Sequence, residues 1–168
     1  MGPLDHYRYL TTARRRLLDR VRELTPEQYR QEFPFGLKSV RRTLLHMAGA
    51  EWFILGQLRG EPKMEEYPFV SERVPDFAAL EKAWRDLEPR TIDILQSEQD
   101  WDRPIDFKTV IPTRERFRVK ASPIIIFTQF TYHEIHHRAQ VMAMLRQLGV
   151  PVETLDFILL ACEAVEEK

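Results

Sequence analysis

The sequence predicts an all-α protein with four long helices, a short extra C-terminal helix, and either a short hairpin or an irregular ribbon before the fourth helix. In four separate stretches, apolar residues recur at spacings of three, four and seven, which is the period of an amphipathic helix. Cap-forming residues and prolines begin several of these stretches, and glycine followed by proline ends two of them. Only from Trp101 to Ala121 do apolar residues alternate with polar ones, as they do in strands.

Length and composition restrict the class of protein. The 168 residues, of which 43% are hydrophobic, fit a single globular domain spanning residues 1–168. A net charge of −1, from 25 basic and 26 acidic residues, gives no support for a nucleic-acid partner. The longest strongly apolar run, residues 124–127, is far too short to span a membrane, and the N-terminus lacks a signal-peptide pattern. The single cysteine, Cys162, excludes an internal disulfide, so we expect a cytoplasmic protein.

The first helix is predicted from Asp5 to Leu24. Its arginines are expected to form a solvated surface, with recruitment of an anion as the alternative: Arg14, Arg15, Arg16, Arg20 and Arg22. The residues after it, Thr25-Pro26-Glu27, predict a capped short helical turn. Ser39 is the expected N-cap of the second long helix, which runs to Arg59 and is stopped by Gly60 and Pro62.

The second half of the chain follows the same logic. Residues 61–75 predict a surface connection that walls one side of a pocket. The third helix is predicted to begin at Asp76 or shortly after it and to run to about Ser97, with a kink at Pro89. Residues 112–115 supply the turn of the hairpin. The fourth helix begins at Ser122-Pro123 and ends at Leu148, before Gly149. Residues 153–167 predict an amphipathic C-terminal helix whose apolar side is made by Leu155, Ile158, Leu159 and Cys162.

The fourth helix carries the residues that point to a function. His133 and His137 are four residues apart, so a helix places both imidazoles on one face, where they can bind one cation. His46, at the edge of the second apolar stripe, is the candidate third ligand from a facing helix. The small residues Gly49 and Ala50, on the face of His46, are expected to leave room beside its imidazole. The alternative is that these histidines are hydrogen-bonded core residues without a metal.

Two segments resemble the signature motifs of the DinB family of DinB/YfiT-like proteins. They are residues 44–51, which read LLHMAGAE, and residues 132–140, which read YHEIHHRAQ. The resemblance implies a four-helix bundle with a three-histidine site for a divalent metal, nickel or zinc first and iron next. By motif position the ligands are His46, His133 and His137, whereas His136 matches a neighbour that is not a ligand. Ala139 departs from the family, which commonly has glycine there.

The same resemblance implies an activity. It favours a metal-dependent transferase that joins a small-molecule thiol to an electrophile in detoxification or stress response, acting as a homodimer. A metal-dependent hydrolase and a metal-binding stress protein without catalysis remain as alternatives.

Other residues near the motifs are weaker candidates. Gln140 is expected to contact a ligand, a substrate or water, and two glutamates are candidates to orient an imidazole: Glu51 and Glu134. Arg138 and Arg42 are candidates to receive the carboxylates of a thiol, with a surface role as the alternative for both. A general base is not evident, and its weak candidates are His6 and Tyr132.

Overall fold

The fold is dominated by four long helices, seen in a computed structural model that describes residues 1–60, 64–110 and 116–162. These helices are α1 (Pro3–Val21), α3 (Val40–Gly56), α4 (Phe77–Ser97) and α5 (Pro123–Gln147). Two short helices, α2 (Pro26–Arg30) and α6 (Phe157–Ala161), lie between and after them, with 3-10 turns at Gln57–Arg59 and Met64–Glu66. The all-α prediction is therefore confirmed.

The helices begin where capping chemistry predicts. The Ser39 hydroxyl accepts a hydrogen bond from the backbone of Arg42 at 3.2 Å, and the Asp76 carboxylate accepts one from the backbone of Ala79 at 2.8 Å. Each bond satisfies one of the backbone donors that a helix start leaves free. The first helix begins two residues earlier than predicted because Pro3 suits a first turn.

The helix ends differ slightly from the predictions. Helix α1 ends at Val21 instead of Leu24, and α3 ends at Gly56 and continues to Arg59 only as a 3-10 turn. The chain then leaves at Gly60, whose φ of 116° favours glycine. Pro89 lies inside α4, and the kink expected there stays a prediction.

The hairpin consists of the antiparallel strands β1 (Ile105–Val110) and β2 (Arg116–Ala121), in which Ile105 pairs with Ala121. This confirms the hairpin and decides against an irregular ribbon. The turn predicted at residues 112–115 lies outside the described residues.

The predicted C-terminal helix is wrong in its bounds. Residues 153–156 are not helical, α6 covers only Phe157–Ala161, and residues 163–167 lie outside the described part. The carbonyl of Leu155 accepts a hydrogen bond of 2.9 Å from the Tyr9 hydroxyl, which ties this segment to α1 in a non-helical form. Ile158 and Leu159 are 67% and 48% exposed, so the apolar pattern does not mark a buried face.

Helices α3 and α5 have the most extensive contact of any two helices in the described part of the chain. Large apolar side chains from all four long helices are fully buried around this contact, among them Leu10, Leu44, Leu80, Phe130 and Met144. No helix in the described ranges is both long and apolar enough to cross a membrane.

A charged cluster lies inside this core. Arg14 of α1 is only 4% exposed, and its guanidinium donates to both carboxylate oxygens of Glu134 on α5, at 3.2 and 2.5 Å. The same guanidinium lies 2.7 Å from a carboxylate oxygen of Glu51 on α3. The prediction of a solvated surface is therefore wrong for Arg14, whose side chain instead joins three helices.

The fourth long helix completes the cluster through Glu51. This carboxylate accepts hydrogen bonds from the Trp84 indole and the Thr91 hydroxyl of α4, and from the Tyr7 hydroxyl, all at 2.7 to 2.8 Å. The Arg14 guanidinium also lies 4.2 Å from the Trp84 ring centroid, within cation–π range. Each long helix thus contributes to one satisfied polar network.

Burial and charge oppose each other in this network. Burial raises the pKa of Glu134, while Arg14 acts to lower it. Burial also acts against the charge of Arg14, but Glu134 and Glu51 outweigh it and raise the pKa of the guanidinium. The two carboxylates therefore offset the cost of burying the guanidinium charge.

Replacing Arg14 by methionine is expected to lower the free energy of unfolding by about 3–5 kcal/mol, because two buried carboxylates lose their cation. Urea unfolding measures this change. Arg15→Met is the matched control: Arg15 is exposed and paired with Glu88, so its loss should cost about 1 kcal/mol or less. A loss of only about 1 kcal/mol or less in Arg14→Met would contradict the stabilising role of the buried network.

Candidate metal centre

Three histidines from α3 and α5 meet at the contact between these helices. His46, His133 and His137 each offer one ring nitrogen, and these nitrogens all lie within 4.8 Å of one another. The Nε2 atoms of His46 and His133 are only 2.8 Å apart. The structure thus brings together the three residues that the sequence singled out, while their role as ligands stays a prediction.

The local structure explains this convergence. His133 and His137 follow one another by one helical turn on α5, and their ring centroids are 4.5 Å apart. The ring of His46 lies 4.7 Å from each of them. His136 is exposed on the neighbouring face of α5, and its exclusion from the ligand set stays a prediction.

Gln140 fixes the ring of His137. Its side-chain oxygen lies 3.0 Å from Nδ1 of His137, and an amide oxygen can only accept, so Nδ1 carries the proton. The lone pair of His137 is then on Nε2. The amide nitrogen of Gln140 donates to Nε2 of His136 at 2.9 Å. The contact expected between Gln140 and a candidate ligand is therefore present.

Gly36 makes room for this amide. A Cβ atom on Gly36 would lie 2.8 Å from the side-chain oxygen of Gln140, and its φ of 55° also favours glycine. The loop before α3 thus supports the histidine cluster from outside α5.

The electrostatics of the cluster favour neutral rings. Burial lowers the pKa of His133 to about 3, assisted by the neighbouring rings of His137 and His46. Burial likewise lowers the pKa of His46 and of His137, where the bond to Gln140 acts in the opposite direction. The cluster is therefore a set of three neutral imidazoles at pH 7.

Such a donor set fits a divalent transition metal. Neutral imidazole is a ligand of zinc, nickel, copper and iron, and three of them leave positions for a further ligand. The Nε2 separation of 2.8 Å between His46 and His133 is close to the ligand spacing of a small metal ion. At a metal–nitrogen distance of ~2.0–2.1 Å, tetrahedral ligands lie about 3.3 Å apart, so a small opening of the pair suffices.

The two candidate orienting glutamates are not beside the histidines. Glu51 and Glu134 both face Arg14 in the buried network. Their predicted role in orienting an imidazole is therefore wrong, because both carboxylates are engaged by the Arg14 guanidinium.

The two candidate arginines also lie elsewhere. Arg138 is buried and donates to the Tyr9 hydroxyl at 2.6 Å, with its guanidinium 5.2 Å from the Tyr9 ring centroid. Arg42 forms an exposed ion pair with Glu32 at 3.2 Å. Arg138 thus packs against α1, and the surface alternative holds for Arg42.

His6 and Tyr132, the weak candidates for a general base, are in a separate cavity of about 220 Å³ between the starts of α1 and α5. His6 stacks on Phe157 with ring centroids 5.7 Å apart, and its Nδ1 contacts the carbonyl of Gly2 at 3.1 Å. Tyr132 is 67% exposed. The structure gives neither residue a contact with the three histidines.

Sequence reasoning missed Tyr67. A Cβ atom on Gly49 would lie 2.0 Å from the Tyr67 hydroxyl, so the space at this glycine is occupied by the phenol and not reserved for the imidazole of His46. The glycine in the interior of α3 was the available signal, but the sequence could not name the side chain that approaches it.

Comparisons with known proteins agree with this fold. A crystal structure of a DinB-like protein from Bacillus cereus is similar to this chain, with 24% sequence identity and a TM-score of 0.67. The match covers 90% of this chain and 94% of that one, and it supports the fold alone. The search of curated proteins found no match. The family model described as the DinB family matches residues 2–168, nearly the whole length. The chain belongs to the DinB family.

Proposed function

We propose that the chain is a metal-dependent enzyme that transfers a small-molecule thiol to an electrophilic substrate. The observation that carries the proposal is the convergence of three ring nitrogens within 4.8 Å, one from each of His46, His133 and His137. In this proposal Nε2 of each histidine holds the metal. Zinc or nickel is the expected ion and iron the next, because imidazole suits all three.

The charge of the site supports an anionic ligand. Three neutral imidazoles do not compensate the charge of a divalent ion, and the nearby carboxylates of Glu51 and Glu134 are committed to Arg14. A half-buried, uncompensated double charge attracts an anion. A divalent ion lowers the pKa of a thiol that binds it, so that the thiolate is available at neutral pH.

The reaction requires no redox partner. The thiolate sulfur forms a bond to the electrophilic carbon of the substrate, the leaving group departs with its bonding electrons, and the proton of the thiol passes to solvent. The chain's own residues hold the site in place. Gln140 keeps the proton of His137 on Nδ1, and the buried network around Arg14 ties together the helices that carry the histidines.

A homodimer is part of the proposal. Three apolar side chains on α5 are exposed and lie on one side of this helix: Ile125, Tyr132 and Ile135. A second copy would cover them. Thiol chemistry also suits the reducing cytoplasm expected for a chain with one cysteine, Cys162, which is free and exposed.

Metal content tests the ligand set. Protein purified without a histidine tag is expected to contain about one divalent ion per chain, and His137→Ala should lose it because two imidazoles hold an ion much less tightly than three. His136→Ala is the matched control and should retain the ion. Elemental analysis measures all three proteins, and equal metal content in wild type and His137→Ala would contradict the site.

The stability of the metal-free protein is expected to fall as the pH drops from about 7 to 5. The lowered pKa values mean that unfolded histidines, with pKa near 6.5, bind protons that the folded cluster does not. Each histidine contributes at most about 1.4 kcal/mol per pH unit to the slope of the unfolding free energy. Solvent screening reduces this contribution because the rings are half-buried. Urea unfolding at several pH values measures the slope, and His133→Gln should flatten it. An unchanged slope in that variant would show that His133 does not resist protonation.

Turnover tests the reaction class. Metal-loaded protein mixed with bacillithiol, mycothiol, glutathione or coenzyme A and a chromogenic chloroarene is expected to consume thiol and electrophile in equal amounts. His46→Ala should abolish this activity, because the site loses a ligand. Ester or amide cleavage without added thiol would instead favour a hydrolase, and no turnover with the site fully loaded would favour a metal-binding protein without catalysis.

A further inference from the structure

The Tyr67 hydroxyl lies against the backbone of α3 at Gly49. A Cβ atom at this position would lie 2.0 Å from the hydroxyl oxygen and 3.0 Å from the ring carbon that bears it. Any other residue would therefore displace the phenol. Glycine weakens a helix interior relative to alanine, so its presence here has a local cause, and the phenol supplies it.

Two aromatic neighbours hold the Tyr67 ring. Trp52 contacts it edge-on with centroids 5.3 Å apart, and Phe69 does so at 6.0 Å. Both neighbours are buried. The ring direction is thus set by packing, and the hydroxyl at its end is presented in a fixed place.

That hydroxyl has no hydrogen-bond partner within residues 1–60, 64–110 and 116–162; the hydrogen bond at this residue, from Arg73, goes to its backbone carbonyl. Burial raises the pKa of the Tyr67 phenol, so the group keeps its proton at neutral pH. Tyr67 is half-buried, and its fixed hydroxyl is a protonated donor without a protein partner in these ranges.

The histidine cluster is one helical turn away. Gly49 follows His46 by three residues, and Cβ positions at that spacing on a helix lie about 5–6 Å apart. The hydroxyl oxygen is 2.0 Å from the Cβ position of Gly49. The hydroxyl therefore lies about one helical turn along α3 from His46, on the side from which the connection between α3 and α4 approaches.

We propose that the Tyr67 hydroxyl contacts the substrate, donating a hydrogen bond to an anionic atom that binds beside His46, His133 and His137. This inference rests on the proposed metal site and adds the group that would recognise the anion. It explains together why α3 has a glycine at position 49 and why a fixed phenol is left without a partner. The contact would favour an anionic thiol or oxyanion over a neutral ligand of the same size.

Cobalt-substituted protein gives a direct test without turnover. Azide, a small anion, is titrated into the Co(II)-loaded protein and its binding is followed in the visible spectrum. Tyr67→Phe is expected to bind cobalt as wild type does, and to bind azide about tenfold more weakly, the loss of one hydrogen bond to a charged acceptor. Tyr29→Phe is the matched control: it removes another unpartnered phenolic hydroxyl, which packs beside Phe77, and should bind azide like wild type.

Gly49→Ala provides the second variant. The added methyl group displaces the phenol, so azide affinity should fall as in Tyr67→Phe, with cobalt still bound. In the double variant the two losses should not add, because both act through one hydroxyl.

The outcomes separate the two proposals. A wild-type protein that binds no cobalt overturns the metal site and this inference with it. Cobalt binding combined with equal azide affinity in wild type and Tyr67→Phe overturns only the role of Tyr67. Cobalt binding without any azide effect on the wild-type spectrum also overturns that role, because no anion then binds beside the histidines.

Discussion

The guanidinium of Arg14, held between the carboxylates of Glu51 and Glu134, determines how the helices of this bundle are arranged around the histidines. Glu134 directly follows His133 on α5, and Glu51 lies five residues after His46 on α3. A shift of either helix would therefore move a histidine and a buried charge together. A buried carboxylate without its cation is costly, so the ion pairs restrict the sliding of α3 against α5. The convergence of three imidazoles depends on this restriction.

The two polar clusters divide the electrostatic roles between different residues of the same two helices, α3 and α5. The Arg14 network satisfies its charges internally, with three neutral donors on Glu51 in addition to the guanidinium. The histidine cluster has no carboxylate among its described contacts, and burial keeps its rings neutral by lowering the pKa of each. Had either glutamate turned toward the histidines, it would have supplied a negative ligand and reduced the attraction for an anionic substrate. The separation of the clusters is thus what favours an anion at the site.

The sequence predicted the helices well because their boundaries are set by local chemistry. Ser39 caps the helix it was expected to cap, Asp76 stands at the predicted start of α4, and the spacing of His133 and His137 placed both rings on one face. The errors concern contacts between distant parts of the chain. Arg14 stands in a run of arginines typical of a solvated face, and its burial follows from two glutamates on other helices. Gly49 indicated a close approach, but its partner, Tyr67, comes from a connection without regular periodicity. The C-terminal pattern failed because the bond between Tyr9 and Leu155 competes with helix formation there.

Gln140 shows how a residue beside the site can decide its chemistry without being a ligand. An imidazole in water distributes its proton over both ring nitrogens, and a metal ligand must keep it on the outer one. The amide oxygen of Gln140 accepts from Nδ1 of His137, and the amide nitrogen is itself occupied by His136, so the amide is held in this orientation. Gly36 then prevents a steric conflict on the outer side of the amide. The lone pair of His137 is thereby directed toward His46 and His133 before any ion binds, which lowers the ordering cost of binding one.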